Sequence, residues 1–366
     1  MDAHGPSGRD GHRDVKRFVF VFVFVFVFVI ALPSWSQEAR PSVFHTEHGG
    51  PELMVSQVVA TGVQPKSVNV SPDGTRVVVC NFGFADHDNV FVYDAMTLDR
   101  LGVLTFTGNA VETVFTRDGH TLYVSNFRQH VVEVFDFTSC AAATTASPCA
   151  LTPRAEIRTA GHPKFMALSP DERTLYVADW GAAAVSVVDT TTFQEVRRLP
   201  TERHPRGLVV RPDGTLLAAA FDGNVIHVFP PGASHESTRW ETCDYPRHLL
   251  LSPDAATLYV TCSLGTLGFY DAQSGRRFGI GSLHRNPRTI DISHDGRWVA
   301  SANFGSSDVS VVDTVSHLHR SHEVPGADQI VGLAIHPGPA LRIYATSWRT
   351  GQLFVLTEGH ASRRHR

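Results

Sequence analysis

Five cations recur at one position of a repeated segment. Lys66, Lys164, Arg206, Arg247 and Arg288 each stand seven residues before a turn aspartate, and Val111 and Val331 fill the same place in two further copies. Each cation directly follows a proline: Pro65, Pro163, Pro205, Pro246 and Pro287. The proline presets φ where a strand begins. Cations held side by side repel one another unless something negative offsets them. Two chemistries follow. Either the cations pair with carboxylates such as Glu112, Asp179 and Glu202 or fan into solvent, or they form an anion-binding mouth. Arginine's planar donors suit phosphate and carboxylate. The chain carries a formal net charge of −4, so a basic register stands out against it, while the protein as a whole is not a polyanion binder. Lys164, Arg206, Arg247 and Arg288 belong to four consecutive copies and form an arc, with Lys66 set apart between the two valine copies.

A second register holds Phe82, Phe127, Trp180, Phe221, Ser263, Phe304 and Trp348, preceded by Asn81, Asn126, Asp179, Ala220, Cys262, Asn303 and Ser347. These aromatics either wedge between repeats or reach the mouth and stack on a planar ligand, with Trp180 the best placed. Asn126 and Asp179 are polar candidates beside them. His162 and His204, just before two of the prolines, are rim candidates, and no histidine spacing specifies a metal site.

The elements that position these residues come from the repeat. Ser71-Pro72-Asp73-Gly74 has type I turn chemistry between two valine-rich runs. It recurs at Thr116–Gly119, Ser169–Glu172, Arg211–Gly214, Ser252–Ala255 and Ser293–Gly296, with a degenerate copy at His336–Pro339. From Asp73 the steps are 45, 53, 42, 41, 41 and 43 residues. That period, with several strands per copy, predicts propeller blades. The fold expected is all-β: a seven-bladed propeller of four-stranded antiparallel blades. Leu53–Thr61 has no turn before it, and the last repeat stops after its third strand. The N-terminal strand is therefore expected to complete the last blade and close the ring. The innermost strand of each blade lines the channel, so the cations should ring one mouth.

The domain reading is a signal peptide over 1–36, a linker over 37–52, the propeller over 53–359 and a basic tail over 360–366. Arg13, Lys16 and Arg17 precede the apolar run Phe18–Leu32 and a small-residue cleavage pattern at Ser34-Trp35-Ser36. This implies export to periplasm or medium, with no stable membrane insertion after processing, and a monomer. Five cysteines leave one unpaired. Cys140 and Cys149 flank the insertion behind the long step, and export makes a disulfide there the expectation. Cys243 and Cys262 should lie on one face of one blade, which leaves a second bond open, and Cys80 reads as a buried free thiol.

The motif Leu-Tyr-Val-x-Asn/Asp, at Leu122–Asn126, Leu175–Asp179 and, ending in Cys, Leu258–Cys262, resembles the YVTN-repeat, YncE-like β-propellers over about residues 53–359. The resemblance implies the seven-bladed fold and relatives that include lactonase-like enzymes and parts of redox proteins. The haem-bearing relatives carry Cys-x-x-Cys-His, which is absent here, and no cofactor is expected. Calcium-dependent lactonases carry channel carboxylates where this chain is basic.

Three functions compete. The first is a binding module holding an anionic partner at the mouth: a small molecule, a nucleic acid, an acidic glycan or a protein segment. The second is a lactonase-like hydrolase with Glu112 as the acid beside the basic register and His162 or His204 as partner. The third is a structural, protein-interaction propeller.

Overall fold

The computed structural model describes residues 50–359. The leader, residues 37–49 of the linker and the tail lie outside the described residues.

Each turn repeat builds one four-stranded antiparallel sheet, and there are seven. With strands lettered A to D from the axis outward, the seven A strands are Pro65–Val70, Ala110–Phe115, Pro163–Leu168, Pro205–Val210, Pro246–Leu251, Pro287–Ile292 and Ile330–Ile335. Each packs beside the next, and the last packs beside the first. In blade seven the outermost strand is Leu53–Ala60, paired antiparallel with Gln352–Glu358. The strand that begins the propeller thus closes it and covers the edge that blade would otherwise expose.

The turn between strands A and B has a specific physical basis. The Ser71 hydroxyl donates to Asp73 Oδ1 at 2.6 Å and accepts from the Arg76 N–H at 2.9 Å. Asp73 Oδ1 also accepts from the Thr75 N–H at 3.0 Å. The same hydroxyl–carboxylate clasp recurs at Thr116/Asp118, Ser169/Asp171, Ser252/Asp254 and Ser293/Asp295. In the fourth copy Arg211 replaces the hydroxyl residue and bonds Asp213 directly. Gly74 has a positive φ of 75°, and Glu172 and Ala255 hold the same left-handed position at 57° and 54°. Glycine is favoured there because it has no Cβ to clash.

Both faces of each blade are buried, so period-two alternation sends alternate residues to opposite seams. In Arg76–Asn81, Val77 and Val79 pack toward blade seven and Val78 and Cys80 toward blade two. One apolar cluster fills each of the seven seams. Each fully buried valine or leucine contributes about 1.5–3 kcal/mol.

The long step is an insertion between strands C and D of blade two, carrying a short helix at Thr138–Ala141. Cys140 bonds Cys149 there. Arg76 of blade one donates to the carbonyls of Cys140, Ala141 and Ala143, which fastens the insertion to its neighbour. Cys243 bonds Cys262, and Cys80 is a buried free thiol.

Candidate functional site

The basic register is placed by a local break in every A strand. Pairing with strand B shifts between Pro65 and Ser67, Ala110 and Thr113, Pro163 and Met166, Pro205 and Leu208, Pro246 and Leu249, Pro287 and Ile290, and Ile330 and Gly332. A bulge re-aims the side chain it carries. Here the residue at each break is the ring position.

The loop before each strand is fixed by an equally regular device. Gln64, His162, His204, Tyr245, Asn286 and Gln329, each two residues before a ring position, have φ between 51° and 63°. Their carbonyls accept the backbone N–H of Phe82, Trp180, Phe221, Ser263, Phe304 and Trp348, at 3.0–3.2 Å. In blade two Asn109 does the same for Phe127 at 2.9 Å. The basic and aromatic registers are thereby tied together by one hydrogen bond per blade.

A further clamp explains the polar position before the aromatic. Asn81 Oδ1 accepts from the Gly62 N–H, Asn126 Oδ1 from Asn109, Asp179 Oδ2 from Ala160, and Ser347 Oγ from Asp328. In blade five this clamp is covalent, the Cys243–Cys262 disulfide. Asn126 and Asp179 are therefore fully buried behind the mouth as loop clamps. Neither is among the residues that line the cavity of the cations.

All five cations line one cavity, with Val111, Glu112, Phe165 and Thr289, around a volume of about 30 Å³. Lys66 shares it, from a strand that lies between those of Val111 and Val331. Of the carboxylate partners considered from sequence, Glu112 lies in this cavity with Lys66 and the other two are engaged elsewhere. Asp179 accepts from Ser186 at 2.5 Å, and Glu202 pairs with Arg239 at 3.1 Å. Among the described residues no ring cation forms a salt bridge. Aromatic faces take that place. Lys66 stands over Trp348 at 5.7 Å, Lys164 over Trp180 at 4.3 Å and Phe127 at 5.4 Å, and Arg288 over Phe304 at 4.2 Å. Arg206 and Arg247 share Phe221, each at 4.7 Å. Each such contact is worth about 0.5–2 kcal/mol.

This arrangement leaves donors unused. Arg206 Nε, Arg247 Nη1 and Arg288 Nε are buried without a hydrogen-bond partner, although Arg247 Nε reaches Ser263 Oγ at 2.6 Å. A buried unpaired donor costs about 1–3 kcal/mol. Burial, then the neighbouring Arg288, Arg206 and Arg247, push the Lys66 ammonium down to about 7. Burial, then Arg206, bring Lys164 down to about 5. The guanidinia are pushed down as well, chiefly by burial, yet keep their protons. Glu112 is raised to about 7 by burial, against hydrogen bonds from Asn69 at 2.7 Å and the Thr113 N–H at 3.2 Å.

The remaining candidates sit at the rim. Lys164 and His204 both lie against the Trp180 ring, His204 stacked at 4.1 Å, so this tryptophan is engaged by the protein itself. His204 Nδ1 lies 2.7 Å from Asp222. His162 packs on Phe127 at 4.6 Å and His130 at 4.4 Å. Phe165 and Thr289, which line the cavity, escaped the sequence reading. They occupy the position after the ring residue, which is Ser67, Glu112, Phe165, Gly207, His248, Thr289 and Gly332 in blade order, so no shared residue type marks it.

A family described as Lactonase, 7-bladed beta-propeller matches residues 27–230, more than half of the chain. Among curated proteins, Antigen Lp49 of Leptospira interrogans is 22% identical over 318 residues, covering 67% of this chain and 66% of that protein. The chain thus spans just under two thirds of that relative's length. Among solved structures, a chain of the Kuenenia stuttgartiensis hydrazine synthase aligns with a TM-score of 0.67 at 19% identity, covering 82% of this chain and 97% of that one. A chain of the mitotic checkpoint complex aligns with a TM-score of 0.69 at 14% identity, covering 84% and 93%. Those two likenesses concern the fold alone.

Proposed function

The chain belongs to the lactonase family of seven-bladed β-propellers, and from that premise we propose that it is an exported binding propeller holding an anionic ligand among the five cations of its channel mouth. One observation carries this reading: three arginines present buried, unpartnered N–H groups around one cavity. An oxyanion there would satisfy several donors at once and offset the mutual repulsion of the cations in a partly desolvated site. The cavity's size favours a small anion or the charged end of a larger one. Export is supported by two disulfides, which persist in oxidising compartments. It is supported further by the basic-then-apolar leader, and no helix among the described residues is long and apolar enough to cross a membrane. The domain division proposed is the leader over 1–36, the linker, the propeller over 53–359 and the tail.

The test is calorimetric titration of the mature protein with inorganic phosphate and sulfate at low and high salt. Arg206→Glu combined with Arg247→Glu should weaken binding tenfold or more, about 1.4 kcal/mol. Arg277→Glu, on the exposed outer strand of blade five, should not. Salt should weaken binding to the parent protein. Normal anion binding by a folded double variant would make the ring structural.

A second reading, lactone hydrolysis, is favoured by Glu112. Raised to about 7 within the cavity, it can accept a proton from water at neutral pH. Water would attack the lactone carbonyl as Glu112 takes its proton, and the arginines would stabilise the oxyanion. The ring acyl C–O bond would then break with Glu112 returning the proton to the leaving alkoxide, which leaves a hydroxy acid ionised among the cations. A panel of lactones tested with parent protein and Glu112→Gln, with and without chelator, decides this reading.

A further inference from the structure

The cationic ring is one-sided. Blades three to six supply Lys164, Arg206, Arg247 and Arg288, whereas Val111 and Val331 flank Lys66 on the other side. On that weaker side, at the seam between blades seven and one, lies a cleft of about 690 Å³. Trp348 belongs to both places. Its ring sits under Lys66 at 5.7 Å, and it lines the cleft with Phe84, Gln64 and Gln329. Gly62, Val63 and Gln64 of the cleft wall run directly into Pro65 and Lys66 of the ring.

The chemistry of the cleft differs from that of the ring. Arg349 is the charged side chain among its lining residues, and Asp328 already pairs with it at 3.7 Å. The cleft therefore has little unsatisfied charge, while the ring has several unpaired donors. Gln64 of blade one and Gln329 of blade seven both line the cleft, both held at positive φ, 51° and 63°. Among the described residues neither side-chain amide has a hydrogen-bond partner. An aromatic surface with two free amides suits a planar, uncharged, polar group.

We propose that the ligand of the ring is an organic oxyanion whose uncharged planar portion lies in the seam cleft against Trp348 and Phe84. This rests on the anion reading of the ring and adds to it a direction: charge toward the arginine arc, uncharged ring toward the seam. Specificity then comes from the cleft, since every small oxyanion offers the arginines similar acceptors.

The experiment compares phenyl phosphate with inorganic phosphate on the full propeller by titration calorimetry, reading the ratio of the two affinities. The parent protein should favour phenyl phosphate at least tenfold. Trp348→Ala and Phe84→Ala should each bring that ratio to within about twofold of one. Circular dichroism melts establish that each variant is folded, and Phe84→Ala serves alone if Trp348→Ala is not. A ratio near one in the parent protein, or a tenfold ratio that survives in folded Phe84→Ala, overturns the proposal while leaving the ring reading intact. If neither anion binds, the ring reading falls and this proposal with it.

Discussion

The Lys164 side-chain nitrogen stands 4.3 Å from the centre of the Trp180 ring. That contact states the logic of the mouth: side chains that converge on the axis lie over the negative faces of aromatic rings, with Glu112 the carboxylate in the cavity beside Lys66. Aromatic offset is weaker than an ion pair and leaves buried N–H donors of Arg206, Arg247 and Arg288 unused. The mouth is therefore stable enough to fold and still deficient in negative charge.

The Arg288 and Phe304 pair, 4.2 Å apart, allows this offset to be measured. In anion-free buffer, Phe304→Leu should destabilise the parent protein by more than it destabilises Arg288→Ala. The coupling in the double-mutant cycle should be about 0.5–2 kcal/mol in urea unfolding. Additive effects would mean that the ring face does nothing for the charge.

Much of this fold is legible in the chain because propellers write it repeatedly. The ladder of six turns from Asp73 to Asp295, with the degenerate copy at His336–Pro339, gives the blade count, and the unpartnered Leu53–Thr61 run gives the closure. Those signals are local and repeated. The mouth is legible only in part, because its features that repeat are the scaffold and its features that specify a ligand do not. Ring cations recur in five blades and could be found by register. The clamp role of Asn126 and Asp179 could not, since it depends on a loop partner 17 and 19 residues away in the chain, Asn109 and Ala160 respectively. The engagement of Trp180 by His204 likewise joins blades three and four and leaves no trace in either repeat alone.

The pH dependence of anion binding has a definite sign. Lys66 and Glu112 both titrate at about 7 in the empty cavity. Below that pH the lysine is charged and the glutamate neutral; above it the lysine is neutral and the glutamate negative. Phosphate analogues of constant charge, such as sulfate, should bind more tightly at pH 6 than at pH 8. Lys66→Met with Glu112→Gln should flatten the profile, and an unchanged profile would assign the dependence elsewhere. Lactone hydrolysis runs the other way: a base must be deprotonated, so turnover should rise through pH 7. One pH series on binding and turnover therefore separates the two readings.

The Cys243–Cys262 bond stands where other blades use a hydrogen-bonded clamp. Replacing both cysteines, as Cys243→Ser with Cys262→Ala, should cost about 3 kcal/mol. Cys243→Ser with Cys262→Asn should recover about 1 kcal/mol of this by restoring the amide clamp of blade two. Equal melting temperatures for the two double variants would refute the equivalence.

The turn aspartates make acid stability a property of the repeat. Asp73 would be lifted by burial, but the Ser71 hydroxyl and the Thr75 N–H outweigh it and hold it below its ordinary value. Asp118, Asp171, Asp254 and Asp295 are lowered first by the hydroxyl two residues earlier, and Asp213 is brought to about 2 by Arg211. A carboxyl whose folded pKa lies below its unfolded value, about 3.9 for aspartate, stabilises the fold above that unfolded value. The stabilisation disappears as pH falls through the folded one. Several of these groups are exposed, so each contribution is small, but six act in the same pH window. The melting temperature should therefore drop between pH 5 and pH 2. Comparison with Ser252→Ala plus Ser293→Ala isolates the turns, since the other carboxylates titrate in both proteins. The double variant should melt lower at pH 5 and lose less on acidification, because the hydroxyls that lowered Asp254 and Asp295 are gone. Parallel curves, with the same loss from pH 5 to pH 2 in both proteins, would show that the clasps hold the turns without setting their titration.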